Sequence, residues 1–352
     1  MTSKTPKLVE KFYSNGVNVY MIKCLSKISS ILPFSLFEIL IYILFIVFLI
    51  LLSCLIYNVI KNPKKILYFF KDFILNIISI MGVIYFLFII LWGINYNRMD
   101  LQSSLIEDYN KKNNSTIKTV EYDKEDLIHL YEFLIKQCNK TRKNVLVDKN
   151  NVMRCNSNHK ETLNRAVDGY SDLSILSLNK KGIYATAKPI LNSSLLCYTG
   201  ITGIYSPFTG EANINISSPD IYIPFTTLHE MAHQRGYASE DEANFLAYIA
   251  CINNKDYDFK YSGYILALKY VSSSLANVDI ETLKSLNKNI SEDVKRDLRN
   301  SSSFWSKYEG KVNEVSENMN NTYLKVNGVK EGTISYSKVV NLLLTYYILY
   351  EK

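Results

Sequence analysis

Two long apolar runs lie near the N-terminus of the chain. Residues 39–60 read ILIYILFIVFLILLSCLIYNVI and residues 73–97 read FILNIISIMGVIYFLFIILWGINYN, and neither run contains a charged side chain. A helix needs about 20 apolar residues to cross the hydrocarbon core of a bilayer, so the pattern predicts two transmembrane helices. Tyr57, Trp92 and Tyr96 are aromatic residues of the kind expected at membrane interfaces. Because no small-residue cleavage site follows the first run, we do not expect a removed signal peptide.

The charges around these runs bear on membrane orientation. The connecting segment carries four lysines, which favour a cytoplasmic loop and place the C-terminal part of the chain outside: Lys61, Lys64, Lys65 and Lys71. Lys23 and Lys27, close to the first run, argue for the opposite orientation. Residues 13–34 are predicted to form an interfacial amphipathic helix with these two lysines on its polar side.

After the second run the pattern becomes that of a mixed domain. Residues 122–144 repeat apolar side chains at helical spacing, residues 182–225 form short β-prone runs broken by Gly, Pro and Asn, and the remainder is mostly helical. The run at 336–350 is too short for a third span and is expected in the domain core. The predicted class is α+β: two transmembrane helices followed by a mostly helical domain with a small β-sheet. The predicted units are an N-terminal tail (1–36), a transmembrane hairpin (37–97), a linker or exposed helix (98–121) and a folded domain (122–352).

Composition narrows the function classes. Lysine and arginine exceed the acidic residues by seven, but the excess is spread along the chain and forms no basic stripe, so we expect no nucleic-acid partner. The six cysteines include no CxxC pair, and one of them lies within an apolar run, so a disulfide framework is not indicated.

The segment TTLHEMAHQRGYASEDEANFLAYIAC (226–251) contains the candidate metal-binding and catalytic residues. It holds two of the chain's four histidines, His229 and His233, four residues apart. On a helix this spacing puts both imidazoles on one face, where they can bind one zinc ion, and Glu230 can reach a water at the metal without binding the metal itself. The HExxH pattern therefore predicts a catalytic zinc site.

A catalytic zinc needs a third protein ligand and an open coordination position. Gly236 can end the first helix in a left-handed conformation, and Ser239 is placed to cap a second helix, which returns an acidic residue toward the histidines. Glu240 is the favoured ligand, with Asn244 one turn later as its hydrogen-bond partner in the surrounding shell. Glu242 is the alternative ligand, but it also stands at the capping-box position after Ser239.

At these residues the sequence resembles the glutamate-zinc metallopeptidases, whose HExxH is followed by ExxAN or ExxAD. Here the two elements are 229–233 (HEMAH) and 240–244 (EDEAN), although the distance between them is shorter than is typical of that group. The segments PFTGEANINISSP, PFTTLHEMAHQRGYASEDEANFLAY and TYLKVNGVKEGTISYSKVVNLL are similar to an uncharacterised bacterial family of membrane-anchored, metallopeptidase-like proteins. The resemblance implies a zincin-like domain in which the first Glu of the second element is the third ligand.

Four further residues are candidates for contact with a substrate. The β-prone run before the first histidine would hold a peptide backbone by strand addition, with Glu211 or Asn213 near the cleft; the alternative is an ordinary sheet and turn. Arg235 and Tyr237 flank the metal helix, where either could stabilise an oxyanion, while packing is the alternative for Tyr237.

The leading hypothesis is a zinc metallopeptidase anchored in the bacterial cell membrane, with its zinc domain on the extracytoplasmic side. Zn²⁺ would be the cofactor, the lipid bilayer and a peptide or protein substrate the partners, and Glu230 the general base. The alternative is a non-catalytic, zinc-stabilised membrane sensor or assembly protein with the same fold. Glu230 discriminates between them, because a purely structural site needs no general base.

Overall fold

The computed structural model describes residues 5–171, 173, 184–326 and 336–352. The N-terminal part contains α1 (Pro6–Leu8), a π-helical segment (Val9–Val17), α2 (Asn18–Ser29), α3 (Leu36–Lys61) and α4 (Ile66–Leu91). The middle contains α5 (Leu101–Asn113), α6 (Lys124–Arg142), β1 (Leu146–Val147), β2 (Met153–Arg154), α7 (His159–Arg165), α8 (Asp168–Ser171), β3 (Lys188–Pro189), α9 (Ser193–Cys197), β4 (Gly203–Ser206) and β5 (Glu211–Ile214). The remainder contains α10 (Ile223–Gln234), α11 (Glu240–Asn253), α12 (Tyr257–Val278), α13 (Ile280–Leu286), α14 (Glu292–Trp305), α15 (Lys311–Val326) and α16 (Tyr336–Tyr346). The described chain is therefore mostly helical with small sheets.

The two apolar runs form the long helices α3 and α4. Each is long and apolar enough to cross a membrane, and the most apolar stretch of each has no residue buried inside the protein. Ser35 caps α3 by accepting a hydrogen bond from the Glu38 N–H at 3.1 Å. Such a continuous exposed apolar surface is unusual for a protein in water and is compatible with membrane anchoring.

The N-terminal segment preceding α3 is helical, but its buried face differs from the sequence expectation. Ser14, Asn18 and Ser26 face the rest of the protein and are buried, together with Ile22. Hydrogen bonds to distant parts of the chain explain this, since the Ser26 hydroxyl donates to the Gly210 carbonyl at 2.8 Å. The segment is therefore packed against the folded domain and not only against a membrane surface.

The predicted linker at 98–121 contains a helix that belongs to the core. Leu101, Leu105 and Ile106 of α5 are buried, and Asp100 caps the helix through the Gln102 and Ser103 N–H groups. Apolar residues one turn apart give α5 a face that packs against α16. The sequence predicts a linker or an exposed helix here; a helix forms, but its apolar face is buried, because the few apolar residues among polar ones gave no clear core-facing pattern.

Helices build the main core. α12 packs between α6 and α11, α11 packs on α10, and α16 fits against α11 and α12. Tyr131, Tyr261, Phe245 and Phe259 are the bulkiest of the fully buried side chains. Burying a large apolar side chain contributes about 1.5–3 kcal/mol relative to leaving it exposed, so these four aromatic residues stabilise the helical core. The prediction that the last apolar run lies in the core is confirmed.

A three-stranded sheet lies beside α10. Its order is β3-β5-β4, with β3 parallel and β4 antiparallel to β5. β4 pairs with β5 over its whole length, from Gly203 opposite Ile214 to Ser206 opposite Glu211. β3 pairs with the last two residues of β5, Asn213 and Ile214, so this end of β5 has a neighbour on both sides. Among the described strands β4 lies at the edge of this sheet, and both β4 and β5 contact α10.

Candidate metal centre

A helix–turn–helix brings the second acidic segment back to the histidines. α10 ends at Gln234, and Gly236 follows in the left-handed conformation with φ +86°. The Gly236 N–H donates to the His233 carbonyl at 2.8 Å and the Tyr237 N–H to the Ala232 carbonyl at 3.3 Å, which closes the helix end. α11 then begins at Glu240. The expected glycine turn is confirmed.

Three side chains converge at this turn. The donor atoms of His229, His233 and Glu240 all lie within 4.8 Å of one another. One carboxylate oxygen of Glu240 is 3.2 Å from His229 Nε2, and the other is 3.6 Å from His233 Nε2. Ligands at about 2.0–2.1 Å from a tetrahedral zinc are about 3.3–3.4 Å apart, so the two separations between Glu240 and the histidines are close to that spacing. The residue types are also those that bind zinc.

The charges of the three side chains are coupled. Burial disfavours a charged imidazole at His233, but the carboxylate of Glu240 outweighs this and raises the pKa of His233 to about 9. Burial likewise opposes ionisation of Glu240, yet His233 and His229 lower the pKa of its carboxyl. The carboxylate of Glu240 and the imidazoles of His229 and His233 are therefore electrostatically coupled.

Backbone and aromatic groups orient His233. Its Nδ1 lies 2.6 Å from the Tyr237 carbonyl oxygen, which makes Nδ1 the protonated nitrogen and leaves Nε2 facing Glu240. The rings of His229 and His233 are 4.6 Å apart and nearly perpendicular. His229 Nδ1 is buried and has no hydrogen-bond partner in the described part of the chain.

Trp92, expected at a membrane interface, is instead buried against the site. It follows directly after the last residue of α4, is 4% exposed, and its ring stands edge-on to His233 at 5.7 Å. The same indole contacts the Tyr205 ring at 4.8 Å. The sequence offered no signal for this contact, because a tryptophan at the end of an apolar run is equally typical of an interface belt.

The side chain of Glu230, on α10, faces the strand β4. Burial raises the pKa of its carboxyl, and the positive charge of the neighbouring histidines opposes that rise. A Cβ on Gly203 would come within 2.6 Å of Glu230 Oε1, so the carboxylate rests directly on the glycine backbone of β4. Gly203 is thus a residue of the site that the sequence did not reveal.

The alternative ligand Glu242 points away from the cluster. Its Oε1 accepts a hydrogen bond from the Leu101 N–H at 2.9 Å, at the start of α5. Burial raises the pKa of Glu242 to about 7. The expected capping box is wrong, since the Ser239 hydroxyl donates to Asp241 and not to the helix backbone.

Asn244 lies one turn after Glu240 and is buried. Within the described chain, no side-chain hydrogen bond joins Asn244 to the cluster. A role for Asn244 in the surrounding shell stays a prediction.

The structure gives Glu211 and Asn213 partners inside the fold. The Glu211 carboxylate accepts from the Leu36 and Phe37 N–H groups at 3.1 and 2.9 Å, and Lys188 Nζ lies 2.6 Å from it. The Asn213 amide donates to the Ile204 and Glu211 carbonyls, both at 3.2 Å. Both side chains are completely buried, so they shape the sheet and the start of α3. Neither is presented to a substrate in this arrangement.

Arg235 and Tyr237 are each held by stacking. The Arg235 guanidinium lies over the rings of Tyr170 and Tyr184 at 4.0 and 4.8 Å and donates to the Met231 carbonyl at 2.8 Å. Tyr237 lies under the guanidinium of Arg98 at 3.9 Å, which favours packing over an oxyanion role.

Arg98 itself was not singled out by the sequence. It donates to the Gly236 carbonyl at 2.8 Å and forms an ion pair with Glu10 at 2.6 Å. It therefore ties the start of the chain to the turn between α10 and α11.

A family model described as "Protein of unknown function (DUF3810)" matches residues 13–344. The chain belongs to the DUF3810 family. The match includes both long apolar helices and the His229, His233 and Glu240 cluster, so these features lie within the region that defines DUF3810. The comparison agrees with the expectation of an uncharacterised family; part of the third resembling segment, 327–335, lies outside the described residues. The chain matches none of the curated proteins and none of the solved structures with which it was compared.

Proposed function

We propose that this DUF3810 protein is a membrane-anchored zinc metallopeptidase with a zincin-like domain. The observation that carries the proposal is the convergence of His229, His233 and Glu240 within 4.8 Å, with Glu230 following the first histidine on the same helix. Two imidazoles and one carboxylate are the ligand set of catalytic zinc sites that keep a fourth position open.

His229, His233 and Glu240 would hold Zn²⁺ as its three protein ligands. When bound, zinc polarises a carbonyl group and lowers the pKa of water toward about 7. The hydrogen bond from His233 Nδ1 to the Tyr237 carbonyl fixes the ring that presents Nε2.

Glu230 acts as the general base. Its carboxylate accepts a proton from the attacking water and delivers it to the leaving amine of the peptide bond. Burial raises the pKa of this carboxyl above its ordinary value, against the opposing charge of the histidines.

The edge strand β4 offers a place for the substrate backbone. It is paired only with β5 within the described sheet, and its Gly203 touches Glu230. A peptide added antiparallel or parallel to this edge would run past the general base, which is the geometry of substrate binding by strand addition. This keeps the proposed role for the β-prone run but moves it from the side chains of β5 to the backbone of β4.

α3 and α4 anchor the protein in the membrane, and the lysine-rich turn between them lies on the cytoplasmic side. The zinc domain then faces away from the cytoplasm. A bilayer and a polypeptide substrate are the proposed partners.

The proposal is tested with Glu230→Gln in the purified full-length protein, reconstituted in lipid nanodiscs. The amide preserves the shape of the side chain and removes the base, so we expect retained zinc and a loss of peptide hydrolysis of about 100-fold or more. Cleavage of an unbiased peptide library, read by mass spectrometry, measures the effect. Glu281→Gln, an exposed change on α13, serves as the matched control and should cleave like wild type. Zinc binding by wild type with no cleavage of any peptide would favour the non-catalytic alternative.

A further inference from the structure

We propose that the substrate of this site is a membrane-embedded polypeptide, cut in the segment directly outside the bilayer. The inference rests on the proposed peptidase function and adds its substrate class. It follows from how closely the two apolar helices are joined to the metal cluster.

The C-terminal end of α4 reaches the cluster without a spacer. Trp92 follows Leu91, the last residue of α4, and its ring lies 5.7 Å from the ring of His233. The next turn, Gly93–Asn97, is a short 3₁₀ helix, and Arg98 after it donates to the Gly236 carbonyl beside His233. The cluster is therefore held at the level where α4 leaves the apolar layer.

The N-terminal end of α3 is joined to the same sheet. Glu211 on β5 accepts hydrogen bonds from the first N–H groups of α3, and Lys188 on β3 donates to the Ser29 and Phe34 carbonyls at 2.6 and 3.0 Å. In return, Glu38 in the first turn of α3 accepts from the Leu191 N–H at 2.8 Å. Because β5 pairs with β4, which touches Glu230, α3 is connected to the site through this small sheet, whereas α4 is connected to it through Trp92.

The N-terminal segment extends the membrane-facing surface around the site. Its inner face is polar and bound to the protein: Ser14 donates to Asn95, and Asn18 to the Leu91 carbonyl, both at 2.8 Å. Its outer face exposes large apolar side chains between lysines: Leu8, Phe12, Tyr20, Ile28 and Ile31. An exposed apolar face with basic residues binds the interface of an anionic bilayer. The segment that carries this face also contacts α4, through the hydrogen bond from Asn18 to the Leu91 carbonyl.

These contacts fix the height of the cluster above the bilayer. An extended chain advances about 3.3 Å per residue, so a polypeptide leaving the membrane beside α4 reaches the cluster after only a few residues. We expect the scissile bond to lie within about five residues of the substrate's own transmembrane helix. A soluble peptide lacks this tether and must approach through solution at a much lower effective concentration.

The experiment compares tethered and free substrates of the same sequences. The full-length protein is reconstituted in vesicles of phosphatidylcholine and phosphatidylglycerol with a single transmembrane helix that carries a randomised 20-residue extension. The same extension library is supplied without the helix in a parallel reaction, and Glu230→Gln is run in both. We expect Glu230-dependent cleavage of the tethered library to exceed that of the free library by at least 10-fold, with cuts close to the membrane. A ten-residue Gly-Ser insert next to the helix should shift the cuts into the insert or abolish them.

The outcomes separate the two proposals. Equal cleavage of tethered and free libraries, dependent on Glu230, would overturn the membrane-proximal substrate and leave the peptidase function standing. Cuts that keep their sequence position after the insert would do the same. No Glu230-dependent cleavage in either arm would contradict the peptidase function itself.

Tryptophan fluorescence tests the position of the site without any activity. The chain has two tryptophans, so Trp305→Phe leaves Trp92 beside His233 as the reporter. Phosphatidylcholine brominated near the headgroup should quench Trp92 strongly. Trp92→Phe is the matched control, because it leaves Trp305 as the reporter. Trp305 packs on Tyr222, at the end of α10 that lies about 17 Å of helix from His233, so Trp305 should be quenched less. Equal or weaker quenching of Trp92 would place the cluster away from the bilayer surface and overturn the inference.

Discussion

Gly203 and Glu230 touch at the point where β4 passes α10. A Cβ at position 203 would lie 2.6 Å from Glu230 Oε1 and 2.8 Å from the Thr226 side chain, closer than real Cβ contacts permit. Thr226 is one helical turn before Glu230, so the glycine leaves room for both residues.

We predict that Gly203→Ala displaces the carboxylate of Glu230 and lowers turnover by at least about 10-fold, equivalent to about 1.4 kcal/mol in the barrier. Zinc content should stay unchanged, because the three atoms nearest to a Cβ at position 203 belong to Glu230 and Thr226 and not to the proposed metal ligands. Peptide hydrolysis and metal analysis of the same preparation measure both. Gly82→Ala is the control, since a Cβ at that position on α4 meets no atom within 4 Å. Wild-type turnover in Gly203→Ala would contradict the role assigned to this contact.

The sequence predicted part of the site at this scale, for a physical reason. HExxH and the glycine turn are local patterns, so His229, His233 and Gly236 can be read from spacing on one helix and its end. Trp92, Arg98 and Gly203 meet the site only through tertiary packing between distant parts of the chain, and no local spacing records such contacts. The choice between Glu240 and Glu242 also depended on tertiary structure, because the Leu101 N–H supplies Glu242 with a partner.

At the scale of elements, a buried ion pair joins the sheet to α3. Lys188 and Glu211 are 2.6 Å apart with almost no exposure, and the carboxylate also caps the first turn of α3. Removing one charge of a buried pair leaves the other charge without compensation, which commonly costs about 3–5 kcal/mol.

We predict that Glu211→Gln lowers the apparent Tm of the full-length protein by on the order of 5 °C or more. The double variant Lys188→Met with Glu211→Gln should recover part of this loss, because the uncompensated lysine is removed while the Gln oxygen can still accept from α3. Thermal unfolding in detergent, followed by circular dichroism, measures both variants. A double variant less stable than Glu211→Gln alone would argue against the buried charge as the cause.

Elements were predicted well where their pattern is long and regular. α3 and α4 follow from uninterrupted apolar runs, and α16 from a short amphipathic run. For 98–121 the pattern leaves a linker and an exposed helix open, because the apolar face of α5 consists of only a few residues among polar ones. The inward polar face of α2 could not be foreseen, since serine and asparagine at helical spacing normally indicate a solvent-facing side.

For the whole molecule, the orientation of the proposed membrane anchor would decide which polypeptides can reach the proposed site. The lysine-rich turn between α3 and α4 favours the cytoplasmic side for that turn and the opposite side for the domain. Lys23 and Lys27 lie on the domain side, where α2 packs against the fold, and they reduce the charge difference between the two sides.

We predict that a cysteine at Lys284, an exposed position on α13, reacts with a membrane-impermeant maleimide in intact cells. A cysteine at Lys64, in the turn between α3 and α4, should react only after lysis. Both are placed in a background with Cys24→Ser and Cys54→Ser, because these native thiols are exposed. Labelling is followed by mass spectrometry. Labelling of position 64 in intact cells with protection of position 284 would reverse the orientation.

Zinc affinity of matched variants tests the central claim most directly. The purified full-length protein should bind one zinc per chain, and chelator competition should show that Glu240→Gln weakens binding by at least about 100-fold, because an amide oxygen is a poor substitute for a carboxylate ligand. Glu242→Gln should bind like wild type, since its amide oxygen can still accept from the Leu101 N–H. Wild-type protein without stoichiometric zinc, or Glu240→Gln with wild-type affinity, would contradict the metal centre formed by His229, His233 and Glu240.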